Sequence, residues 1–308
     1  MQLTQKVYYE FVNGFVKNMF IFSKKKILKN LLVLVLMVLA LSNSHASQES
    51  FLEGTPLKVR VSAPSHKTLP EGFEESISFS GAAFYFYFHL GVAAHLQETY
   101  DLSKVCFLGA SSGCFPAFLL AANISIKEII EIWMPEVCSL LQDKPTGVYG
   151  NFEEAITKVC LKYMPTDSYK ITNGRVFMSL TPARLRCPYN KRTATFTSNE
   201  HLINTAFASC QIPFINNPRF FYYLNGKKYL DGVFTDQQPT INDRTIRVSP
   251  YMWSFIWGRI WPICCLYGSV SPEHNLKIYR DGYKHAAANP DHWLGLEKFR
   301  KKPLISRL

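Results

Sequence analysis

Two successive strand–turn–helix patterns constrain the fold of this chain most strongly. Residues 75–80 alternate polar and apolar side chains like a strand, reach Gly81, and lead into a helix at residues 90–96. Residues 105–108 form a short apolar run that is typical of a strand buried on both faces, and an apolar helix follows at residues 115–122. This alternation is the pattern of a parallel sheet, so the sequence predicts an α/β fold.

The rest of the chain continues the pattern. The sequence predicts a helix at residues 126–133, an irregular and partly helical interval at residues 140–175, and later strands at residues 176–180, 193–197, 228–230 and 245–248. The chain has 308 residues, of which 47% are hydrophobic and 19% charged, and no break in composition separates two domains. These observations indicate one globular domain with a sizeable core.

The stretch VCFLGASSGC places Ser111 between Gly109 and Gly113, after a predicted buried strand and before a predicted helix. A serine on such a sharp turn projects out of the sheet, and small neighbours let the backbone pass without clashes. The following helix points its N-terminus at the serine, which stabilises developing negative charge. Glycine and serine also favour ordinary turns, so a nucleophile and a plain tight bend are both open interpretations.

The turn at Gly81, Ala82 and Ala83 comes one strand–helix unit upstream of Ser111. Backbone N–H groups at this turn face the same edge of the predicted sheet, where an oxyanion hole for acyl transfer is needed. A simple turn glycine explains the same residues.

Asp231 ends a predicted strand and is followed by Gly232. It therefore presents its carboxylate at the carboxyl edge of the sheet, where substrates gather in parallel sheets. A carboxylate in contact with a serine hydroxyl accepts its proton without a histidine. An Asp-Gly pair is also a common hairpin turn, so this feature taken singly has a structural explanation as well.

In this order, SFSGAAFYFYFHLGVAAHL, FLGASSG and LDGVFTDQQP resemble the motifs of the patatin-like phospholipase family, and residues 202–213 and 245–250 resemble two further segments of it. The resemblance covers roughly residues 75–290. It implies a three-layer α/β/α sandwich with a mostly parallel sheet and a lipid acyl hydrolase without metal or organic cofactor. It also implies that Ser111 is the nucleophile, Asp231 its base, and the turn at residues 81–83 the oxyanion hole.

Two departures from the family pattern concern this site. The family's oxyanion turn is usually glycine-rich, with a further glycine where this chain has Phe86, and alanine resists positive φ. The dyad aspartate is usually followed by Gly and then Gly or Ala, whereas Val233 stands here. The alternative to an acyl hydrolase is therefore a catalytically impaired relative that binds lipid or a protein partner.

A serine–histidine–aspartate hydrolase is the mechanistic rival, since His274, His285 and His292 follow Asp231 in a permissible order. The chain has no HGGG-like stretch, and its candidate oxyanion turn lies only one strand–helix unit before the serine. These histidines are predicted to be structural or surface residues.

Residues 1–46 are predicted to be a signal peptide or a signal anchor. Lysines at positions 24–26 and 29 precede an apolar run at residues 31–41, and the small residues Ser44 and Ala46 follow. The 11-residue run is shorter than the roughly 20 residues that span a bilayer, which favours cleavage near Ala46. An anchor at residues 27–41 is the alternative, and either predicts the secretory pathway, with residues 47–74 as a linker.

Charge and cysteine content limit the partners. Six lysines against one glutamate give residues 1–46 a net charge of +5, which leaves +6 of the total +11 for the remainder. This balance and the basic tail predicted at residues 291–308 favour a lipid or membrane-surface substrate, while no module for nucleic acid is present. The eight cysteines form no C-x-x-C pair, so a metal site has no support.

Two further expectations concern single residue types. Trp253, Trp257 and Trp261 are predicted to lie in the core, or else to line an acyl pocket or dock on a membrane. Cys106 and Cys114 are predicted to be small buried residues. The oligomeric state is left open.

Overall fold

The strands form one mixed sheet that is parallel at its centre. The fold comes from a computed structural model that describes residues 68–183, 188–250, 266 and 268–302. The strands are β1 (Glu75–Phe79), β2 (Val105–Ala110), β3 (Val176–Pro182), β4 (Lys191–Thr193), β5 (Tyr222–Leu224), β6 (Lys227–Leu230) and β7 (Ile246–Val248). Their order is β5-β6-β3-β2-β1-β7, with β4 paired to β3. Strands β7, β1, β2 and β3 run parallel, and the remaining pairs are antiparallel.

Helices alternate with the parallel strands, as the sequence predicts. They are α1 (Phe86–Thr99), α2 (Cys114–Ala121), α3 (Met134–Gln142), α4 (Phe152–Tyr163), α5 (Ser168–Thr172), α6 (Asn199–Ser209) and α7 (Pro272–Ala288). A short α-turn, Ile126–Glu128, and a π-helical turn, Ile129–Trp133, lead into α3. The 3₁₀ turns Ala83–Tyr85, Ser111–Gly113 and Gly232–Phe234 lie after β1, β2 and β6. The predicted α/β fold is confirmed.

The two faces of the sheet are packed differently. Successive side chains of a strand point to opposite faces. Ile77 and Phe107 belong to the main core together with residues of the helices. Cys106 and Leu108 point to the other face, where the described residues that pack against them lie outside the helices, at Leu69, Phe73, Phe177 and Ile241. The second helical layer of the predicted three-layer sandwich stays a prediction.

The strand predicted at residues 193–197 is wrong in position. The structure places β4 at Lys191–Thr193. The N–H of Phe196 donates to the side-chain oxygen of Asn173 at 2.6 Å, and the Asn173 amide donates back to the Phe196 carbonyl at 3.1 Å. The Asn173 side chain thus makes the backbone hydrogen bonds that a neighbouring strand would otherwise make. Ser198 caps α6 directly afterwards.

Part of the segment that the sequence predicts as a basic tail packs on the domain. Pro290–Phe299 forms a 3₁₀ helix, in which Trp293 and Leu296 are fully buried. Lys298 forms salt bridges with Glu74 and Glu75 at the start of β1. The 3₁₀ helix after residue 290 is therefore packed against the rest of the described domain.

Several predictions fall outside the described residues. They include the signal peptide or anchor at residues 1–46, the first part of the linker, and the three tryptophans at 253, 257 and 261. Within the described ranges, none of the helices is both long enough and apolar enough to cross a membrane.

Candidate active site

Ser111 directly follows β2 and adopts a backbone conformation that is unusual for serine. Its φ is 52°, in the left-handed region, where a non-glycine residue is strained by about 1–3 kcal/mol. The N–H of Ser111 donates to the Ser209 hydroxyl at 2.8 Å, and that hydroxyl donates to the Ser179 carbonyl at 2.6 Å. The strained turn is thus fixed by the end of α6 and by β3.

The three glycines predicted to support the motif lie where backbones approach closely. A Cβ on Gly109 would lie 2.6 Å from the Cα of Cys114, and one on Gly113 would lie 2.4 Å from the carbonyl oxygen of Phe79. A Cβ on Gly232 would lie 2.2 Å from the carbonyl oxygen of Ser179. Distances this short exclude any side chain at these positions in the present geometry.

The structure brings Ser111 and Asp231 into direct contact. The Ser111 hydroxyl donates to Asp231 Oδ2 at 2.7 Å, although the two residues are 120 positions apart in the sequence. The second carboxylate oxygen, Oδ1, accepts the N–H of Val233 at 3.0 Å. Both side chains are buried, with Ser111 3% and Asp231 0% exposed. The pair is therefore shielded from water and held by a backbone donor.

Burial raises the pKa of Asp231 to about 7, while the Val233 N–H and the Ser111 hydroxyl lower it in part. Desolvation penalises the charged carboxylate, so the group holds its proton to a higher pH than an exposed aspartate. A carboxylate with a pKa near neutral is a stronger base than an ordinary aspartate and is still ionised at physiological pH.

The predicted oxyanion turn is only partly free. The N–H of Gly81 donates to the Gln237 carbonyl at 3.1 Å, and the N–H of Ala82 donates to the Ser112 hydroxyl at 3.1 Å. Ala83 differs from both, because it lines the same cleft as Ser111 and its N–H donates to no other described residue. Of the three predicted positions, Ala83 is therefore the one whose N–H group is left available to stabilise an oxyanion.

Ala83 adopts the positive φ that alanine resists, at 45°. The other departures from the family pattern are packed into the fold. Phe86 is buried, with ring centroids 6.0 Å from Phe115 and 5.9 Å from Phe152. The methyl carbon Cγ1 of Val233 lies 2.3 Å from the position that a Cβ on Gly81 would take.

An apolar cleft opens at Ser111. The cleft is narrow, with a cavity volume of about 20 Å³, which is room for about one water molecule. Four of its ten lining residues are aromatic. The lining residues are Ala83, Phe84, Ser111, Ser112, Phe115, Phe152, Phe207, Cys210, Ile212 and Asn216.

The histidines of the rival mechanism lie elsewhere. His274 and His285 are on α7, and His292 lies in the 3₁₀ helix with its Nε2 2.8 Å from the Arg247 carbonyl oxygen. None of the described residues that line the cleft is a histidine. His89 is fully buried against Phe79, and burial lowers its pKa to about 3. The geometry therefore gives the serine a carboxylate partner and no imidazole.

The cysteines of the described ranges are free thiols, and Cys106 and Cys114 are fully buried as predicted. Burial raises the pKa of both thiols to about 12, so they are unreactive at neutral pH. Across the same ranges, no group of three or more His, Cys, Asp or Glu side chains is arranged to hold a metal ion.

Sequence reasoning missed Ser209 and Ser112. Ser209 lies in the segment 202–213 that resembles the family, but its hydroxyl bonds become evident only when α6, β2 and β3 meet. Ser112 directly follows the nucleophile candidate. The hydroxyl at that position was the one sequence feature that could have indicated a role in the site. The aromatic wall of the cleft comes from four separate helices and turns, so no local pattern predicted it.

Comparison with known proteins agrees with this fold. The chain is 29% identical to the omega-hydroxyceramide transacylase of Homo sapiens over 172 residues, which cover 53% of this chain and 31% of that protein. It is 26% identical to the 1-acylglycerol-3-phosphate O-acyltransferase Pnpla3 of Mus musculus, over 57% of this chain and 43% of that protein. It is 31% identical to patatin-like phospholipase domain-containing protein 2 of Bos taurus, over 57% and 37% respectively.

The fold and the site define an α/β protein with a buried serine–carboxylate pair. This chain is homologous to the patatin-like phospholipase domain proteins over a little more than half its length, as its motifs predict. No protein-family model matches the chain. The chain spans about a third to two-fifths of the length of these relatives.

Proposed function

We propose that this chain is a lipid acyl ester hydrolase that acts through a covalent acyl-Ser111 intermediate. The observation that carries the proposal is the 2.7 Å hydrogen bond from the Ser111 hydroxyl to Asp231 beside an apolar cleft. The homology to patatin-like phospholipase domain proteins supports the same reaction class.

In the acylation step, Asp231 accepts the hydroxyl proton as Ser111 Oγ attacks the carbonyl carbon of the ester. The carbonyl oxygen becomes an oxyanion, and the tetrahedral intermediate then collapses and expels the alcohol, which takes the proton back from Asp231. In deacylation, Asp231 removes a proton from water, the hydroxide attacks the acyl-serine, and Ser111 leaves with that proton. The pKa of Asp231, which burial raises to about 7, suits both transfers.

Two groups are placed to stabilise the oxyanion. The first is the N–H of Ala83, which lines the cleft. The second is the hydroxyl of Ser112, which accepts the Ala82 N–H and so keeps its own proton for a second acceptor. A side-chain hydroxyl here offsets the loss of glycines from the turn, because oxyanion donors include serine side chains as well as backbone groups.

Acyl transfer to a second lipid is a further candidate function. Relatives of this chain are named as a transacylase and as acyltransferases. The acyl-Ser111 intermediate serves both reactions, and they differ only in whether water or a lipid hydroxyl attacks it.

The test is turnover of a panel of acyl esters by the purified chain, with products separated into free fatty acid and newly acylated acceptor. Ser111→Ala and Asp231→Asn should each abolish both products, and Ser168→Ala is the control because this buried serine lies outside the cleft. A fluorophosphonate should label Ser111 in the parent. An unlabelled, inactive parent would contradict the enzyme and favour an impaired relative that only binds lipid or a protein partner.

The secretory location rests on the sequence pattern of residues 1–46 and is proposed on that basis. Expression of the full chain in eukaryotic cells, followed by N-terminal sequencing of the mature protein, tests it. A new N-terminus near residue 47 supports cleavage, whereas an intact N-terminus in the cytosolic fraction contradicts the proposal.

A further inference from the structure

The β5–β6 hairpin forms one end of the sheet and presents aromatic and basic side chains outward. Its turn consists of Asn225 and Gly226, with φ values of 50° and 70°. Tyr222 and Tyr229 point into the core as a cross-strand pair. The next pair along the strands, Tyr223 and Lys228, therefore points to the opposite face, and both residues are exposed.

We call Phe220, Phe221, Tyr223 and Lys228 the hairpin surface. Phe220 is 40% exposed and Tyr223 is 55% exposed, high values for large apolar side chains. The ammonium group of Lys228 lies 5.7 Å from the ring centroids of both Phe221 and Tyr223. Aromatic rings beside lysine side chains combine an apolar body with a polar end, as groups at a membrane interface do.

The charge on this part of the chain has one sign. Residues 201–230 contain three cations, Arg219, Lys227 and Lys228, and no aspartate or glutamate. Arg219 is bound to Glu153. Neither lysine takes part in a salt bridge with the described residues. The hairpin surface therefore complements an anionic surface.

The hairpin surface is continuous with the rim of the cleft. The segment between α6 and β5 supplies Cys210, Ile212 and Asn216 to the cleft wall. In the same segment, the ring of Phe214 lies 6.0 Å from the ring of Phe220. A flat partner that covers the hairpin surface is thus brought next to the entrance to Ser111.

We propose that the hairpin surface docks on an anionic lipid bilayer and holds the mouth of the cleft at the membrane. Its benefit to catalysis rests on the proposed function, whereas the binding itself does not. Tyrosine and phenylalanine rings enter the interface, and each lysine near an anionic surface strengthens binding roughly fivefold, equivalent to about 1 kcal/mol. The bilayer must therefore carry negative head groups.

The experiment is sedimentation of the full chain with vesicles of phosphatidylcholine alone and of phosphatidylcholine mixed with phosphatidylserine. Lys228→Gln should weaken binding to the mixed vesicles roughly fivefold, since one lysine contributes. Tyr223→Ser should weaken it severalfold. Matched controls outside the hairpin are Lys277→Gln on α7 and Leu294→Ser, whose side chain is 67% exposed; these should bind like the parent.

Hydrogen–deuterium exchange separates the hairpin from any membrane affinity of residues 27–41. Amides of residues 220–230 should be protected by mixed vesicles, and those of α7 should not. The proposal is overturned if the parent does not bind, if these amides stay unprotected, or if hairpin and control variants bind alike. A parent dimer that Tyr223→Ser dissociates, without vesicle binding, would instead make the hairpin a self-association surface.

Sedimentation of the Ser111→Ala variant keeps this test apart from the proposed function. Vesicle binding by this variant supports docking whatever the hydrolysis assay shows. Hydrolysis of soluble esters by a parent that ignores anionic vesicles overturns the docking proposal alone.

Discussion

The backbone N–H of Ala82 donates to the hydroxyl of Ser112 across 3.1 Å, which joins the turn after β1 to the turn after β2. The sequence led us to expect Ala82 as an oxyanion donor, and in the structure its N–H is already engaged. Through this bond, Ser112 connects the turn that carries Ser111 to the turn that carries Ala83. Removal of the Ser112 hydroxyl should make both turns less rigid.

Ser112→Ala should lower kcat by roughly 10²-fold, because it removes a hydroxyl donor and frees the turn that carries Ala83. Since the ester is bound mainly by the apolar cleft, KM should change little. Ser112→Thr keeps the hydroxyl and should restore most of the rate. Steady-state kinetics on one acyl ester measures both variants, and an unchanged kcat in Ser112→Ala would remove Ser112 from the mechanism.

The rate should depend on the ionisation of Asp231, whose pKa burial raises to about 7. The carboxylate is the active base, so kcat/KM should rise with pH, reach half its maximum near pH 7 and level off about one pH unit higher. A pH profile with an ester whose own chemistry is flat from pH 5 to 9 checks this. A profile that is already level near pH 5 would show that an ordinary aspartate suffices.

Asp231→Asn should make the fold more stable at high pH. A carboxyl with a raised pKa binds more protons in the folded than in the unfolded state, so ionisation lowers stability as pH rises from about 4 to about 7. Asparagine has no charge to bury. Thermal unfolding should give a higher Tm for the variant at pH 8, with a gap to the parent that shrinks toward pH 4. An equal gap at both pH values would contradict the raised pKa.

Ser209→Ala should reduce both stability and activity. It leaves the Ser111 N–H and the Ser179 carbonyl without their buried partner, which costs about 1–3 kcal/mol for each unsatisfied group. Ser168→Ala is the control, because this buried hydroxyl donates to the Pro165 carbonyl at 2.8 Å outside the cleft. Urea unfolding should show losses in both variants, whereas kcat should fall only in Ser209→Ala.

Gly232→Ala should destabilise the fold by about 1–3 kcal/mol, since its Cβ would lie 2.2 Å from the Ser179 carbonyl oxygen. The adjustment moves Asp231, so activity should fall as well. Gly295→Ala is the matched control, because the nearest atom to its Cβ is a side-chain carbon at 3.4 Å. Equal denaturation midpoints for the two variants would show that the close approach at Gly232 relaxes without cost.

Local chemistry explains which parts of the fold could be predicted. Residues 75–80 and 105–114 carry their periodicity and turn glycines within a short window, and β1, β2 and α2 formed where these patterns placed them. The strand predicted at residues 193–197 failed because Asn173, about twenty positions away, satisfies the backbone of Phe196. A side chain that substitutes for a strand leaves no local signal.

The candidate site follows the same division. Ser111 and Asp231 were expected to meet at the carboxyl edge of a parallel sheet; the structure places them 2.7 Å apart, although β6, the strand before Asp231, runs antiparallel to β3. The hydrogen bonds that engage Gly81 and Ala82 depend on Gln237 and Ser112, whose approach is set by tertiary packing. The sequence of a turn predicts which N–H groups it offers, but it does not predict whether these groups already donate hydrogen bonds to other residues.

The side chain of Val233 occupies the space that a side chain at position 81 would need. A methyl carbon of Val233 lies 2.3 Å from the position that a Cβ on Gly81 would take. The two positions are therefore energetically coupled, and the effect of a substitution at one depends on the residue at the other. A chain with alanine at position 81 requires a smaller residue at 233. Replacing Val233 by the family's glycine or alanine while Gly81 stays in place would open a void beside the Ser111 side chain.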